Sequence, residues 1–348
     1  MQTVHDLETP AVLIDMDIVE RNIAAMQQRC DELGLQFRPH IKTHKIPAFA
    51  HMQLKAGAVG IACQKVSEAE IFADAGLSDI QIPYNIVGAR KTARLAALAK
   101  RAKVTVTLDS LAVLEGIATA AQRAGAHIGV LIELVGPNRR TGTTPQAALE
   151  LAQQVIAANN LTFEGVMIYP SEARVRPRLQ TALDLLAAND IAVGTVSGGG
   201  SGAAHEAHLL PELTELRVGT YIFYDWRSVT RGWATLEDCA MRVRATVVSA
   251  NEPDRIILDS GSKSITADAQ DGLYGHIVEY PQARLYAVNE EHGFTDFTAC
   301  ERIPAVGDIV HVIPVHTCVV TNLHNQIYAV RAESIEQAHP VAARGLVW

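Results

Sequence analysis

The chain has 348 residues and a formal net charge of −8, with 30 Lys and Arg against 38 Asp and Glu. Nucleic acids and anionic membranes attract clustered positive charge, so this balance excludes both as expected partners and favours small molecules. Hydrophobic residues make up 48% of the chain, which suits a large folded core. No apolar run is long enough to span a bilayer and no signal-peptide pattern is present, so we expect a cytoplasmic protein.

Apolar strand-like runs alternate with amphipathic helical spacing through the first two thirds of the chain. The predicted strand and helix pairs are 9–15 with 19–30, 36–41 with 47–56, 58–63 with 67–75, 79–83 with 89–102, 104–108 with 110–124, 128–134 with 145–158, 163–168 with 178–188, and 191–197 with 203–210, before a last strand at 215–224. About eight such units predict an α/β chain with a TIM (β/α)8 barrel, because doubly wound sheets more often stop at about five or six strands.

The pattern changes after about residue 233, where β-branched runs are broken by Gly, Pro and Asn. Strands are predicted at 241–248, 255–258, 272–278, 283–289, 309–313, 319–323 and 326–331. Helical periodicity is nearly absent there, which indicates a C-terminal all-β domain. We therefore predict a barrel over residues 16–235 and a β-domain over 236–348.

Lys42 lies in the segment Arg38-Pro-His-Ile-Lys-Thr-His-Lys45, at the predicted end of a strand. Neighbouring positive charge and burial favour the neutral, nucleophilic form of an amine. The segment therefore marks a candidate covalent anchor that forms a Schiff base with an aldehyde.

Further candidates follow other predicted barrel strands. Arg140, Tyr169 and the glycine-rich run 197–202 stand, like Lys42, at C-terminal strand ends, where TIM barrels carry their functional residues. Taken singly, each is more often a solvated rim residue, and their joint placement is what predicts a site. The glycine-rich run also opens a predicted helix, so its amides can converge on a phosphate; a plain tight turn is the alternative.

His316 and Cys318 are separated by one residue in a predicted extended segment. Residues two apart in a strand share a face, so an imidazole and a thiolate could bind one divalent ion and leave open positions for a substrate oxygen. From spacing alone, a buried cysteine beside a satisfied histidine is the favoured alternative. His292, in Glu290-Glu-His-Gly293, is a weaker candidate for contact with substrate.

Segments along the whole chain resemble the D-threonine aldolase and D-serine dehydratase family, pyridoxal-phosphate enzymes of fold type III with an alanine-racemase-like barrel. The matching segments are Thr9–Asp15, Arg38–Lys45, Glu68–Glu70, Arg140–Gly142, Ser197–Gly202, Asp259–Lys263, Glu290–Gly293 and His316–Cys318. The lysine segment and the His-x-Cys motif are the specific parts of this resemblance.

The resemblance implies a role for each candidate residue. It makes Lys42, rather than Lys45, the covalent anchor of pyridoxal 5'-phosphate, with Arg140 near the phenolic oxygen and Tyr169 along the pyridine ring. The cofactor phosphate would be held by the turn residues Gly199, Gly200 and Ser201, and a divalent metal (Zn, Mn or Mg) by the ligands His316 and Cys318. The resemblance further implies that residues 1–15 join the β-domain and that the protein is a head-to-tail homodimer.

The implied activity is that of a lyase acting on 3-hydroxy-D-amino acids. Retro-aldol cleavage would give glycine and an aldehyde, whereas β-elimination would give a 2-oxo acid and ammonia. Cys318 favours elimination, while Asn322-Leu323 and the segment Ala62–Val66 favour the aldolase, which is our prediction. An amino-acid racemase and a non-catalytic carrier of the cofactor are further alternatives, although a racemase needs no metal and a carrier ends with the barrel.

The chain departs from the family after Tyr169. Family members commonly have histidine and glycine there, whereas this chain has Pro170-Ser-Glu-Ala-Arg-Val-Arg176. We hypothesise that the substrate carries an extra carboxylate, which Arg174 or Arg176 could bind in a bidentate manner.

Overall fold

A computed structural model describes residues 2–348, and these residues form two compact units. The barrel unit comprises residues 26–42, 47–219 and 346–348. The β-unit comprises the residues up to 25 together with 43–46 and 220–345. The boundaries between the units lie near residues 25 and 219, whereas the predicted domain boundaries lie at residues 15 and 235.

The barrel unit contains, among the described residues, eight parallel strands in the order β2-β9-β8-β7-β6-β5-β4-β3. An isolated parallel bridge between His40 and Ala62 joins the two ends of this order. The strands are β2 (Gln36–Phe37), β3 (Ile61–Ala62), β4 (Asp79–Ile82), β5 (Lys103–Leu108), β6 (Ile128–Leu134), β7 (Leu161–Ile168), β8 (Thr195–Gly199) and β9 (Glu215–Arg217). The predicted TIM barrel is confirmed.

In the barrel unit, each of the strands β2 to β8 is followed along the chain by one helix. They are α2 (Pro47–Lys55), α3 (Val66–Asp74), α4 (Ala89–Leu98), α5 (Leu111–Ala124), α6 (Pro145–Ala157), α7 (Arg176–Ala187) and the short α8 (Ala203–Glu206). Local sequence explains the bounds of two of them. Thr144 caps α6 by accepting a hydrogen bond from the Ala147 amide at 3.3 Å, and α5 ends where Gly125 adopts a left-handed φ of 60°.

Two strand ends were predicted too far along the chain. The strand predicted at 36–41 ends at Phe37, and Ile41–Thr43 forms a 3-10 turn. The strand predicted at 215–224 ends at Arg217, and Thr220–Ile222 is again a 3-10 turn. Both segments are largely buried, and periodicity alone does not separate a buried turn from a buried strand.

The β-unit contains a nine-stranded sheet within residues 2–348. Its strands are β1 (Ala11–Asp15), β10 (Met241–Glu252), β11 (Arg255–Leu258), β12 (Gly275–Ile277), β13 (Arg284–Val288), β14 (Gly293–Asp296), β15 (Ile309–Pro314), β16 (Gln326–Arg331) and β17 (Ser334–Pro340). β1 pairs antiparallel with β10 and parallel with β16, so the first strand of the chain is central in this sheet. The predicted C-terminal β-domain is confirmed.

Three short helices of the β-unit are α9 (Trp226–Thr230), α10 (Ser262–Ile265) and α11 (Thr317–Leu323), counted within the described part of the chain, and α1 (Met16–Glu32) begins in this unit. The strand predicted at 319–323 is wrong, because this segment belongs to α11. The run Val319-Val320-Thr321 has high β propensity, but Val320 and Thr321 are buried, and such packing overrides local preference. None of the helices within residues 2–348 combines the length and the apolar character that a membrane crossing requires.

Candidate active site

Lys42 lies in the 3-10 turn that follows β2 and is partly buried. The preceding histidine fixes this turn, because His40 Nδ1 lies 3.4 Å from the Lys42 amide and His40 Nε2 lies 3.1 Å from Gln64 Oε1. His40 is also the residue that bridges to Ala62 of β3. The turn is therefore held at the C-terminal edge of the barrel strands, where the sequence places the covalent anchor.

Lys45, the other lysine of the segment, is in a different environment. It is 6% exposed, has a left-handed φ of 55°, and donates from Nζ to the carbonyl of Ala343 at 3.2 Å. The Nζ of Lys45 is therefore already engaged by a backbone carbonyl of the same unit. This difference supports the choice of Lys42 over Lys45.

Arg140 and Tyr169 are brought together by the loops after β6 and β7. The Arg140 guanidinium carbon lies 4.7 Å from the centroid of the Tyr169 ring, a cation–π contact. The loop after β6 is fixed directly after the arginine, since Thr141 donates to Glu133 at 2.8 Å and the Gly142 amide donates to Asp109 at 2.9 Å. A rigid loop thus holds a cation over the aromatic ring.

The glycine-rich turn follows β8 and lies beside Tyr169. Gly200 has a φ of 118°, and a Cβ there would stand 3.6 Å from the tyrosine ring and 3.2 Å from Pro170. The Gly199 amide donates to the Ser171 hydroxyl at 2.9 Å and the Gly200 amide to the Arg217 carbonyl at 3.2 Å. Gly199 and Gly200 therefore shape the turn, and their amides already donate to acceptors within the protein. The partly buried Ser201 offers a hydroxyl that could donate to a phosphate.

Sequence reasoning missed a chain of buried charges inside the barrel. Arg38 Nε lies 2.6 Å from Glu215 Oε2, and its Nη1 lies 2.7 Å from Asp79 Oδ1. Glu215 also accepts from Gln81 at 2.9 Å and from Ser197 at 2.5 Å. Burial alone raises the pKa of a carboxyl group, but the Arg38 guanidinium outweighs it and holds the pKa of Glu215 below its usual value.

Arg217 is the member of this chain that points to a ligand. It is 5% exposed and donates from Nε to the Ser197 hydroxyl at 2.8 Å, but its Nη2 has no hydrogen-bond acceptor among residues 2–348. Burial lowers the pKa of its guanidinium, although the negative charges of Glu215 and Glu133 act to raise it. An unsatisfied buried donor is costly, so this atom fits an acceptor on a bound cofactor, such as a pyridine nitrogen. The signal available in the sequence was the alternation Glu215-Leu-Arg217, which puts both charges on one face of β9.

The His316 and Cys318 pair belongs to the β-unit. The extended geometry predicted for it is wrong, because His316 is the N-cap of α11 and Cys318 lies in the first helical turn. The two side chains nevertheless face each other. The thiolate of Cys318 is the largest influence on the imidazole; against the effect of burial, and with help from Asp225, it raises the pKa of His316 to about 10.

Asp225 orients the imidazole and was also missed from the sequence. Its Oδ2 lies 3.1 Å from His316 Nδ1, while its Oδ1 accepts from the amide and hydroxyl of Ser228 at 2.8 and 2.5 Å. The carboxylate side chain is 2% exposed. A carboxylate on Nδ1 leaves Nε2 for a metal, which is the arrangement found behind metal-binding histidines. The Asp-x-x-Ser helix cap was the local signal, but it does not reveal the contact with His316.

The donor set fits a metal with open coordination positions. The Cys318 sulfur is 3.2 Å from the Thr43 hydroxyl, within the β-unit. Among residues 2–348, no group of three or more His, Cys, Asp or Glu side chains is placed to hold a metal ion. His316 and Cys318 would thus supply two ligands, and the remaining positions would be open to water or substrate.

The weaker candidates lie in exposed positions. Arg174 Nε is 2.6 Å from Glu172 and Arg176 Nε is 2.8 Å from Glu212, with 66% and 51% of the arginine side chains exposed. His292 is exposed in the turn before β14. The structure therefore gives each arginine a carboxylate partner within the chain, which a substrate carboxylate would have to displace.

Comparison with known proteins agrees with this arrangement. The family described as alanine racemase, N-terminal domain, matches residues 14–225, and the putative serine dehydratase domain matches residues 240–330. A D-threonine aldolase from Arthrobacter sp. is 35% identical, covering 97% of this chain and 93% of that protein.

Two further relatives are named for different activities, one a dehydratase and the other an aldolase. The D-threo-3-hydroxyaspartate dehydratase of Delftia sp. is 30% identical, covering 91% of this chain and 92% of the relative. The crystal structure of D-threonine aldolase from Filomicrobium marinum superposes with a TM-score of 0.90 at 30% identity, covering 100% of both chains. With similarity across both units, the chain belongs to the family of D-threonine aldolases and D-serine dehydratases that is built on the alanine racemase N-terminal domain.

Proposed function

We propose that this protein is a pyridoxal-phosphate-dependent and metal-dependent lyase that cleaves 3-hydroxy-D-amino acids to glycine and an aldehyde. The observation that carries the proposal is the His316–Cys318 pair with Asp225 behind it. A racemase or a cofactor carrier has no use for such a pair. The D-threonine aldolase relatives, similar over nearly the whole chain, support the choice of reaction.

Pyridoxal phosphate, when bound, withdraws electrons from the substrate Cα and so stabilises negative charge there. Lys42 is proposed as its covalent anchor, because Lys45 is committed to the Ala343 carbonyl. Arg217 would donate from its unsatisfied Nη2 to the pyridine nitrogen, and Arg140 would approach the phenolic oxygen. Tyr169, held under the Arg140 guanidinium, would line the ring.

The cofactor phosphate is assigned to the turn after β8. Ser201 would donate its hydroxyl, while Gly199 and Gly200 keep the backbone close enough for the phosphate to approach. At Gly199 a Cβ would stand 2.5 Å from the Arg217 carbonyl, so a side chain there would displace the strand that carries Arg217. The absence of a side chain at Gly199 therefore affects both the shape of the turn and the position of the Arg217 charge.

A divalent metal, when bound, would act as a Lewis acid on the β-oxygen of the substrate. His316 and Cys318 would hold it, with Asp225 keeping the imidazole in the tautomer that exposes Nε2. Zn, Mn and Mg are the candidates, and a thiolate ligand favours zinc. His292 remains a weaker proposal for contact with substrate.

Retro-aldol cleavage breaks the Cα–Cβ bond, releases the β-hydroxyl proton as the aldehyde forms, and returns a proton to Cα. The second candidate is β-elimination, in which Lys42 removes the Cα proton, the hydroxyl group leaves, and hydrolysis gives a 2-oxo acid and ammonia. Cys318 and the similarity to the Delftia dehydratase favour this second reaction. The two reactions have different products and are therefore separable.

The test is a product assay on a panel of 3-hydroxy-D-amino acids, with and without a metal chelator. The proposal predicts equal amounts of glycine and aldehyde from D-threonine or another panel member, and loss of both after chelation. A 2-oxo acid with ammonia would establish the second candidate. Turnover of none of the panel, or racemisation that survives chelation, would overturn both.

Three finer points stay predictions: a head-to-tail homodimer, a cytoplasmic location, and a substrate with an extra carboxylate bound by Arg174 or Arg176. The last point requires the arginines to exchange Glu172 and Glu212 for the substrate. Because both arginine side chains are more than half exposed, such an exchange would have a small net effect on binding.

A further inference from the structure

The β-unit has a cavity of about 340 Å³ that no residue of the candidate active site lines. Its floor is one face of the nine-stranded sheet counted within residues 2–348, where Leu13 lies opposite Arg242, and Arg244 lies opposite His311. Val4, from the 3-10 turn near the N-terminus, packs in a cluster with Leu13 and forms an apolar wall. The cavity thus combines charged and apolar walls.

Two arginines from β10 project into this cavity. Arg242 and Arg244 are two residues apart and therefore share a face of the strand. Arg244 is 6% exposed and donates from Nη1 to the Leu7 carbonyl at 3.0 Å. Arg242 is partly buried, and among residues 2–348 its buried Nε has no hydrogen-bond acceptor.

The acidic groups near the cavity are already engaged. Asp15 Oδ1 accepts from the amides of Asp17 and Ile18 at 3.0 and 3.2 Å. Glu333 lies 3.4 Å from His5, at the cavity mouth. Glu279 lies 2.6 Å from His311 Nδ1. Each of these carboxylates therefore has a partner of its own, whereas the Arg242 Nε has no acceptor among residues 2–348.

We propose that this cavity binds a small oxyanion, a carboxylate or a phosphate-type group, with Arg242 as its principal ligand. A buried guanidinium nitrogen without an acceptor is unfavourable, and a carboxylate or a phosphate-type group offers the paired oxygen acceptors that the fork geometry of arginine fits. Arg244 adds a second positive charge, and the apolar wall strengthens the attraction by excluding water. The proposal concerns the β-unit alone and does not depend on the proposed lyase activity.

The test is a calorimetric titration of the holoenzyme with sodium sulfate and, separately, with sodium acetate at constant ionic strength. Saturation with pyridoxal phosphate fills the barrel's own phosphate site beforehand. We expect saturable binding of at least one anion at one site per chain. Preference for sulfate would indicate a phosphate-type ligand, and preference for acetate would indicate a carboxylate.

Three variants assign the binding to the cavity. Arg242→Met should weaken it by about tenfold or more, since it removes a bidentate charged contact. Arg242→Lys keeps the charge but not the fork, so it should weaken binding by a smaller factor and serves if the methionine variant does not fold. Arg255→Met is the matched control in the same unit, because Arg255 is exposed on β11. Absence of saturable binding in the wild type, or equal binding in the wild type and in both Arg242 variants, would overturn the proposal.

Discussion

The barrel interior and the candidate metal-binding pair of the β-unit both keep polar groups away from water, and they stabilise these groups in different ways. The barrel holds buried charges against each other: Arg38, just after β2, contacts Glu215 on β9, and Ser197 links Glu215 to Arg217 on the same strand. The β-unit instead uses one buried carboxylate, Asp225, to orient one imidazole. The Arg38–Glu215 pair should therefore matter mainly for stability, and the pairing of Asp225 with His316 mainly for ligand affinity.

The largest expected effect is on the barrel. Arg38→Met leaves Glu215 buried without its main counter-charge, so we expect the free energy of unfolding to fall by about 3–5 kcal/mol. The measurement is urea unfolding followed by circular dichroism. Arg101→Met, which breaks an exposed pair with Asp74, is the control and should cost less than about 1 kcal/mol. Equal losses in both variants would refute the distinction between buried and exposed pairs.

The next effect concerns metal affinity. Asp225→Asn keeps the size of the side chain but no longer stabilises the metal-binding tautomer of His316, so we expect metal affinity to fall by about 10–100-fold. The readout is metal bound per chain after dialysis against graded chelator concentrations. Asp268→Asn, at a more exposed carboxylate of the same unit, is the control. Unchanged affinity in Asp225→Asn would show that the carboxylate only caps α9.

These two predictions rest on residues that the sequence did not single out. The alternation of strand and helix patterns in the sequence predicts the barrel. It also predicts that Arg140 and Tyr169 lie on the rim, because strand ends in a parallel barrel share an edge. It does not predict that Asp225 contacts a histidine 91 residues away. Such pairing depends on tertiary structure. In the sequence, an aspartate that caps a helix looks the same whether or not it also contacts a distant histidine.

Local propensity also misassigned the segment that carries the candidate metal ligands. The β-branched residues after Cys318 favour a strand, but the segment is helical. His316 and Cys318 face each other because the first stands at the helix cap and the second in the first turn. The two side chains thus contact each other although the predicted backbone geometry is wrong, and their role as metal ligands stays a prediction.

A smaller effect should appear in the pH dependence of stability. Burial against Trp226 lowers the pKa of His276 from its ordinary value of 6.5, with Glu279 partly opposing. The unfolded chain then binds the proton more readily than the folded one, so this contribution to stability is complete above pH 6.5 and is lost as the pH falls towards the folded pKa. His276→Gln should flatten the fall in urea midpoint below that pH. An unaltered slope would contradict the assignment.

The smallest effect is expected at the exposed arginines. If Arg174 or Arg176 binds an extra substrate carboxylate, the double change to Met should lower the rate on 3-hydroxy-D-aspartate relative to D-threonine by up to about fivefold. Each arginine already has a glutamate partner, which limits the gain. Arg178→Met, in the same helix, is the control. Unchanged relative rates would remove the extra-carboxylate hypothesis.

The central claim is that Lys42, and not Lys45, carries the cofactor. The direct measurement is borohydride reduction of the holoenzyme, followed by proteolysis and identification of the modified lysine by mass spectrometry. We expect the label on Lys42, with no label in Lys42→Ala and unchanged labelling of Lys42 in Lys45→Met. Label on Lys45, or on a lysine outside the segment 38–45, would contradict the account.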